Sequence, residues 1–297
     1  LRLAPDNIEA LRMQAWMALE QGDASKAEVT VRRLLDLRPQ DHAAWLQAAF
    51  VFDAAGDMAL AARFAEDSVV ANPKDPEAWR ALSQVRYRQL RLDDAEDAIN
   101  TALQLVPNRV DSLRQWGWIL IAAQRPAHAL LAFLHVLNQQ PQDPVSLQEA
   151  AEACLRAGSV NAGLDIVNRL LDLHPDLLAG RLLHVRLLCE AGPFVPDAHA
   201  LALSKCRRLI SLGCASGEVA PYLMRLLGHG APGVQAVLRM LPRKMRLEAY
   251  RAAISDATVR YNHDNLLKLL TEASKDFPDD SWIATASLYG ASLDHDS

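Results

Sequence analysis

Proline recurs along this chain of 297 residues at a fixed interval, and this interval restricts the fold more than any other feature of the sequence. Six prolines are spaced 34 residues apart, at Pro5, Pro39, Pro73, Pro107, Pro141 and Pro175. Because proline cannot continue the interior of a helix, each of them marks the passage from one helix to the next. A fixed interval of this length indicates tandem structural repeats.

Other residue types keep the same interval. A small residue recurs at Ala27, Ala61, Ala95 and Ala129. A large apolar residue recurs at Leu11, Trp45, Trp79, Leu113 and Leu147. Glycine occupies a third column at Gly22, Gly56, Gly158 and Gly192, with Leu90 and Gln124 at the intervening positions. Glycine suits a tight turn between two helices, and alanine lets two helix backbones approach closely, so each repeat is predicted to be a helical hairpin.

This pattern resembles the tetratricopeptide repeat (TPR) family, in arrays of the bacterial type. The signature of that family places a large residue, a small residue, an alanine and a proline at set points within 34 residues. The resemblance covers five consecutive repeats, at 8–41, 42–75, 76–109, 110–143 and 144–177. It implies an all-α fold, an α-solenoid in which TPR hairpins stack into a right-handed superhelix that becomes irregular toward the C-terminus.

The register of the repeats divides the chain into two predicted regions. Residues 1–192 form the regular array, which consists of the five repeats and the first helix of the next. Residues 193–297 form degenerate TPR-like repeats that continue the solenoid. Within the second region we expect, in order, a helix, an irregular helical pair, a recovered repeat and a last unpaired helix, at 198–212, 213–242, 247–280 and 282–293.

The sequence carries no recognisable enzyme motif. It lacks a P-loop, a GxGxxG after a strand, an HExxH and a GxSxG. His128 and His135 fall on one helical face, but no cysteine or carboxylate accompanies them at ligand spacing. The four cysteines lack CxxC spacing and are predicted to be reduced, mostly buried thiols: Cys154, Cys189, Cys206 and Cys214. We therefore predict a protein without catalytic residues, cofactor or metal.

Charge and hydropathy exclude two further classes of partner. The net charge of −5 and the isoelectric point near 6.0 do not favour nucleic-acid binding, and the short basic cluster 243–246 is predicted to begin a solvated helix. No stretch approaches the roughly 18 apolar residues of a membrane span, so membrane insertion is not expected. Reduced cysteines favour the cytoplasm. The periplasm is the alternative, because the chain begins at Leu1 and is interpreted as a fragment.

The TPR resemblance also implies a binding surface. In that family the first helices of successive repeats line a concave groove, which is faced by the second, fifth, ninth and twelfth residues of each repeat. Transfer of these positions predicts a groove formed by aromatic, arginine and glutamine side chains: Arg12, Trp16, Phe50, Arg80, Gln84, Tyr87, Arg114 and Trp118. Aromatic anchors beside arginines favour a protein or peptide with apolar anchors and acidic flanks.

Two structural alternatives apply to these residues. Each arginine follows a carboxylate by three residues and can be satisfied within its own helix, in the pairs Glu9 with Arg12, Glu77 with Arg80 and Asp111 with Arg114. Burial against a neighbouring repeat is the alternative for Trp16 and Trp118. Trp45, Trp79 and Trp116 belong to packing columns and are predicted to lie in the core.

The function predicted from these features is a non-catalytic scaffold that binds a partner protein or peptide in the groove. Two alternatives stay open. In one, the chain is the substrate-recruiting arm of a larger bacterial enzyme of glycosyltransferase or sulfotransferase type, or a component of secretion machinery. In the other, it is a self-assembling scaffold that forms homo-oligomers. The lysine and asparagine with which some TPR proteins clamp a C-terminal carboxylate are absent from the fifth and ninth positions.

Overall fold

The computed structural model describes residues 7–192, 197–212, 216–227, 231–241, 243–259 and 263–295. All regular secondary structure in these residues is α-helical, and consecutive helices pack in pairs. The predicted all-α solenoid of TPR hairpins is confirmed. The chain forms two compact units, Leu1–Ser146 and Leu147–Ser297. The predicted division at residue 192 concerns the regularity of the repeats rather than compactness, and it stays a prediction.

The first unit consists of four hairpins, formed by α1 Ile8–Glu20, α2 Ala24–Leu37, α3 His42–Ala55, α4 Met58–Ala71, α5 Pro76–Arg88, α6 Leu92–Leu105, α7 Val110–Ala122 and α8 Pro126–Gln139. Each second helix also packs against the first helix of the next repeat. The first helices contact one another in the order α1, α3, α5, α7. This row of first helices supplies one continuous face of the unit.

Helix α9, Pro144–Arg156, begins in the first unit and continues into the second. The second unit continues with α10 Val160–Leu173, α11 Leu178–Ala191, α12 Ala198–Ser211, α13 Ser216–Leu227, α14 Ala231–Met240, α15 Arg243–Val259, α16 His263–Asp276 and α17 Ser281–His295. Helix α13 packs on α15 as well as on α14, so α14 interrupts the simple succession of pairs. This agrees with the irregular pair predicted for 213–242. Helix α15 begins at the basic cluster, as predicted.

Aspartates beside the repeat prolines and after the glycines cap the N-termini of the four helices from α2 to α5. The carboxylate of Asp41 accepts a hydrogen bond from the Ala43 backbone N–H at 3.0 Å, and Asp75 caps α5 in the same way. Asp23 and Asp57 accept from backbone N–H groups three residues ahead. Each bond satisfies one of the backbone donors that a helix N-terminus leaves unpaired.

The turn within each of the first five hairpins uses a left-handed residue. Gly22, Gly56 and Gly158 have φ of 72°, 86° and 73°. Leu90 and Gln124, which fill the gaps in the glycine column, adopt the same conformation with φ of 60° and 58°. The backbone geometry of the repeat therefore persists where the glycine is absent. Gly192 follows the end of α11 but has a right-handed φ of −40°, so it does not adopt the left-handed conformation of the other residues in this column.

The alanine column lies where the two helices of a hairpin meet. Ala27, Ala61, Ala95 and Ala129 all have no exposed surface. Gly163 occupies the next position of the column, and a Cβ there would lie 3.1 Å from Cys154 Cβ on the hairpin partner α9 and 2.7 Å from Leu187 Cδ2 on α11 of the next repeat. Close packing of this kind leaves no room for a larger side chain, which explains why the column admits only small residues.

The tryptophans of the large apolar column tie each repeat to the proline before it. Trp45 Nε1 donates to the Pro39 carbonyl at 3.0 Å, and Trp79 Nε1 donates to the Pro73 carbonyl at 2.8 Å. Both rings are half-buried, so the prediction of a core position holds only in part. Trp116 is also half-buried, and it packs against the apolar cluster of α6 and α7.

The cysteines that the structure describes are free thiols. Cys154 and Cys206 are buried, and Cys189 is half-buried. Burial raises the pKa of the Cys154 thiol to about 11 and, with Cys189 nearby, that of Cys206 to about 12. Both thiols are therefore protonated and unreactive near neutral pH. Cys214 lies outside the described residues.

Substitution of Ala61 tests the role of the alanine column. Ala61→Leu should lower the free energy of unfolding by roughly 1–3 kcal/mol, because the larger side chain overpacks the crossing of α3 and α4. Ala59→Leu, at an exposed position on α4, is the matched control and should leave stability nearly unchanged. Urea unfolding followed by circular dichroism measures both. Equal effects of the two substitutions would contradict the assigned register.

The left-handed conformation of the turn residues is tested by substitutions at Leu90 and Gly56. Leu90 is 81% exposed, so its replacement by glycine removes little packing and relieves a conformation that L-residues adopt at a cost. Leu90→Gly should raise the free energy of unfolding by about 1 kcal/mol, whereas Gly56→Ala should lower it by about as much. Thermal unfolding of both variants provides the comparison, and shifts of the same sign would refute the assignment.

Candidate partner-binding groove

A groove of about 520 Å³ opens between α1, α3 and the start of α5 in the first unit. We call it the N-terminal groove, and it is lined by Glu9, Ala10, Arg12, Met13, Trp16, Ala43, Leu46, Gln47, Phe50 and Glu77. Three of the predicted site residues, Arg12, Trp16 and Phe50, line it directly. They belong to the first helices of two repeats, because the first helices of successive hairpins lie side by side.

Two aromatic side chains form the centre of the N-terminal groove. Trp16 and Phe50 meet edge to face, with ring centroids 6.5 Å apart and planes at 87°. Trp16 is 49% exposed, whereas Phe50 is half-buried over the alanines of α3, α4 and α5. The predicted alternative of burial against a neighbouring repeat therefore does not hold for Trp16, whose ring stays accessible to a partner.

Arg80 extends the aromatic surface onto α5. Its guanidinium carbon lies 5.0 Å from the centre of the Phe50 ring, in a cation–π contact. The same guanidinium donates to the Glu77 carboxylate, with Nη2 to Oε2 at 2.9 Å, and Arg109 Nη2 lies 2.7 Å from Glu77 Oε1. Glu77 thus bridges two arginines and holds Arg80 in place over Phe50.

The arginines of the prediction pair in two ways. Arg12 and Arg80 form ion pairs within their own helices, with Glu9 at 3.2 Å and Glu77 at 2.9 Å. The own-helix alternative is therefore confirmed for these two. Arg114 Nη2 instead contacts the Asp143 carboxylate at 2.9 Å, on the turn before α9. Its partner comes from the next repeat rather than from one turn earlier in α7.

Glutamine side chains fix the spacing between first helices. Gln47 Nε2 donates to the Arg12 carbonyl at 2.5 Å, and Gln115 Nε2 donates to the Arg80 carbonyl at 3.1 Å. Both glutamines are the sixth residue of their repeats and reach back to the preceding first helix. These bonds position the backbone that carries Arg12 and Arg80 at the groove.

The remaining predicted residues lie apart from the aromatic pair. Tyr87 packs against the apolar cluster of α6 and α7, and its ring is half-buried there. Trp118 meets Phe133 of α8 edge to face at 5.3 Å, within its own hairpin. Gln84 is half-buried and does not line the N-terminal groove. The structure therefore brings together Arg12, Trp16, Phe50 and Arg80, and leaves the other four predicted residues outside this group.

Seven of the ten lining residues were absent from the predicted set, and three of these seven determine the chemistry of the groove. Met13 and Leu46 supply apolar lining, and Glu77 supplies the ionic bridge. Leu46 is the fifth residue of its repeat, as Arg12 and Arg80 are of theirs, so the repeat pattern places it at the groove. It was missing from the prediction because only aromatic, arginine and glutamine residues were selected from these positions. Met13 lies outside the four transferred positions, and only the packing of α1 shows that it borders the groove.

The described part of the chain contains neither a candidate metal site nor a candidate membrane-spanning helix. Among those residues, His, Cys, Asp and Glu side chains form no group of three suited to hold a metal ion. Within the same residues, no helix is both long and apolar enough to cross a bilayer.

Comparison with known proteins identifies the fold. No protein-family model matches the sequence, and a search of curated proteins found no significant match. The structure is similar to PilF of Pseudomonas aeruginosa, with a TM-score of 0.59 at 20% identity over 72% of this chain and 96% of that one. A tetratricopeptide repeat protein of Parabacteroides merdae gives a TM-score of 0.59 at 13% identity, over 96% of this chain and 98% of that one. A TPR protein of Thermus thermophilus gives a TM-score of 0.53 at 20% sequence identity, over 61% of this chain and 99% of that one.

Two tryptophan substitutions distinguish the groove from the core. Trp16→Ala should lower the free energy of unfolding by only about 1 kcal/mol, the size of an exposed aromatic pair. Trp118→Ala should lower it by about 2–3 kcal/mol, because its ring packs on the buried Phe133. Urea unfolding measures both values. A larger loss for Trp16 than for Trp118 would show that the two assignments are reversed.

Proposed function

We propose that this chain, which has the TPR fold, is a non-catalytic scaffold that binds a protein or peptide partner in the N-terminal groove. The observation that carries the proposal is the exposed ring of Trp16, paired edge to face with Phe50 at 6.5 Å in a groove of about 520 Å³. Tryptophan in a concave, partly desolvated setting is the residue type most often found at the energetic centre of an interface.

The lining of the groove indicates the chemistry of the partner. Trp16, Phe50, Leu46 and Met13 present apolar surface, which suits one or two apolar anchor side chains. A partner that covers this exposed aromatic pair removes apolar area from water, and the free energy of that burial favours binding. The TPR fold presents such lining on adjacent helices, so a peptide segment running across α1, α3 and α5 meets all of it.

Arginines at the edge of the groove favour acidic residues beside these anchors. The Arg12 side chain is partly exposed and its ion pair with Glu9 lies in solvent, where such a pair contributes little. A partner carboxylate can therefore share Arg12 at small cost. Arg80 is more enclosed and is held by Glu77, so it contributes chiefly to the shape of the surface. These charges should affect association rate and salt dependence more than affinity.

The second unit carries different residues at the positions equivalent to the aromatic pair. The ninth position of the repeat, which holds Trp16 and Phe50 in the first two repeats, becomes Glu152 and Arg186. These two side chains form an ion pair with each other at 2.8 Å, and Glu152 also binds Arg156 at 3.0 Å. A self-satisfied ionic surface offers no apolar anchor site, which favours the first unit as the binding site.

Selection from a random peptide library against the purified chain tests the proposal. Enriched peptides should carry aromatic or aliphatic anchors next to Asp or Glu. A selected peptide, measured by fluorescence anisotropy, should bind Trp16→Ala about 30-fold more weakly than the wild type, which corresponds to roughly 2 kcal/mol.

Trp282→Ala is the matched control, because Trp282 is a comparably exposed tryptophan with its own arginine contact, Arg251 at 5.7 Å, in the second unit. This variant should bind as the wild type does. Undiminished binding to Trp16→Ala, or a loss confined to Trp282→Ala, would overturn the proposed site. Light scattering over a concentration series tests the alternative of self-assembly, which requires the mass to rise with concentration.

A further inference from the structure

A second cavity, of about 390 Å³, lies within the second unit between α10, α11 and α12. We call it the basic pocket. Three cationic side chains line it, Arg181 from α11 and Lys205 and Arg208 from α12, together with the Ser204 hydroxyl. Its remaining walls are His184 and the apolar residues Leu171, Pro175, Leu201 and Leu209. No acidic side chain belongs to its lining within the described part of the chain.

The basic pocket arises from two departures from the repeat pattern. Arg181 occupies the position of Trp45 and Trp79, and its Nε donates to the Pro175 carbonyl at 2.8 Å as the tryptophans donate to their own prolines. The hydrogen bond of the column is thus conserved, but a positive charge replaces an indole ring. The second departure is the right-handed conformation of Gly192, after which α12 begins only at Ala198.

Neither Lys205 nor Arg208 forms an ion pair among the described residues, whereas Arg181 pairs at 2.8 Å with Asp176, an exposed residue outside the pocket. Burial and then the nearby Arg208 guanidinium lower the pKa of Lys205. Two like charges on one helix face, with no counter-charge among the described residues, favour the binding of an anion.

His184 provides an independent observation at the same place. The residue is only 4% exposed and lines the pocket, yet its Nδ1 has no hydrogen-bond partner among the residues that the structure describes. Buried polar atoms are ordinarily hydrogen-bonded, and an unpaired one is costly. Burial and then Lys205 lower the pKa of His184 to about 4, so the ring is neutral at pH 7 and can donate one hydrogen bond.

From this arrangement we infer that the basic pocket binds an oxyanion, a carboxylate or a phosphate, on a small apolar body. Lys205 and Arg208 supply the charge, Ser204 and His184 supply neutral donors, and Leu171, Leu201 and Leu209 contact the apolar part. A volume of about 390 Å³ falls in the range of small-molecule sites. The site lies in the second unit, so it stands independently of the N-terminal groove.

Three probes distinguish the sources of the oxyanion: N-acetyl-leucine, its neutral amide and inorganic phosphate. Each is titrated into the full chain, and binding is followed by calorimetry and by the NMR signals of the His184 imidazole. Binding of N-acetyl-leucine without its amide assigns the pocket to an apolar carboxylate, such as a peptide C-terminus. Binding of phosphate as tightly as N-acetyl-leucine assigns it to phosphate-bearing ligands. Both results support an oxyanion site.

Methionine substitutions then test the residues. Lys205→Met and Arg208→Met keep an unbranched apolar side chain, and each should weaken binding of the effective probe about tenfold or more. Arg207→Met is the matched control, because Arg207 is exposed on the same helix but does not line the pocket. This variant should bind the probe as the wild type does. Thermal unfolding confirms that all three variants fold. Equal binding of the neutral amide, binding by neither anion, or equal losses in all three variants would overturn the inference.

Discussion

The close crossing of two helices over a small residue is the contact on which the rest of this structure depends. Alanine occupies that crossing in the first four hairpins without any exposed surface, and Gly163 continues the column in the fifth. Because the two helix backbones approach so closely there, the relative placement of the helices is set once per repeat. The residues of the other columns of the 34-residue pattern are positioned by these same helices.

A fixed crossing places the same register position of each repeat in an equivalent environment, and the residue found there decides what the repeat can do. At the ninth position, aromatic rings in the first two repeats form an apolar groove with Arg80 stacked on Phe50. At the same position later in the chain, Glu152 and Arg186 neutralise each other. At the fourth position, replacement of tryptophan by Arg181 keeps the bond to the proline carbonyl and adds a charge. The surface chemistry of a repeat thus depends on the side chains at its fourth and ninth positions, while the helical hairpin that carries them is retained.

The sequence alone was sufficient to predict the hairpins, because proline and glycine act through local backbone geometry that tertiary context does not override. The left-handed φ of Leu90 and Gln124 shows that the register determines the turn even without glycine. Contacts between repeats were harder to predict. Arg114 binds Asp143 rather than a carboxylate of its own helix, since the turn before α9 brings that side chain within 2.9 Å. Tyr87 and Trp118 occupy repeat positions that were predicted to face the groove. The Tyr87 ring instead packs against the apolar cluster of α6 and α7, and the Trp118 ring packs against Phe133 of its own hairpin. The basic pocket depends on where α12, which begins only at Ala198, packs against α11, and the repeat pattern does not specify this placement.

The claim that a partner occupies the row of first helices in the first unit is tested most directly by amide hydrogen exchange of the chain with and without a selected peptide ligand. The account predicts slowed exchange in α1, α3 and the start of α5, with the strongest protection at the turn of α1 that carries Trp16. Little change should occur in the second helices α2 and α4, which contribute no residue to the groove lining. Protection confined to residues 190–297, with α1 and α3 unaffected, would contradict the account.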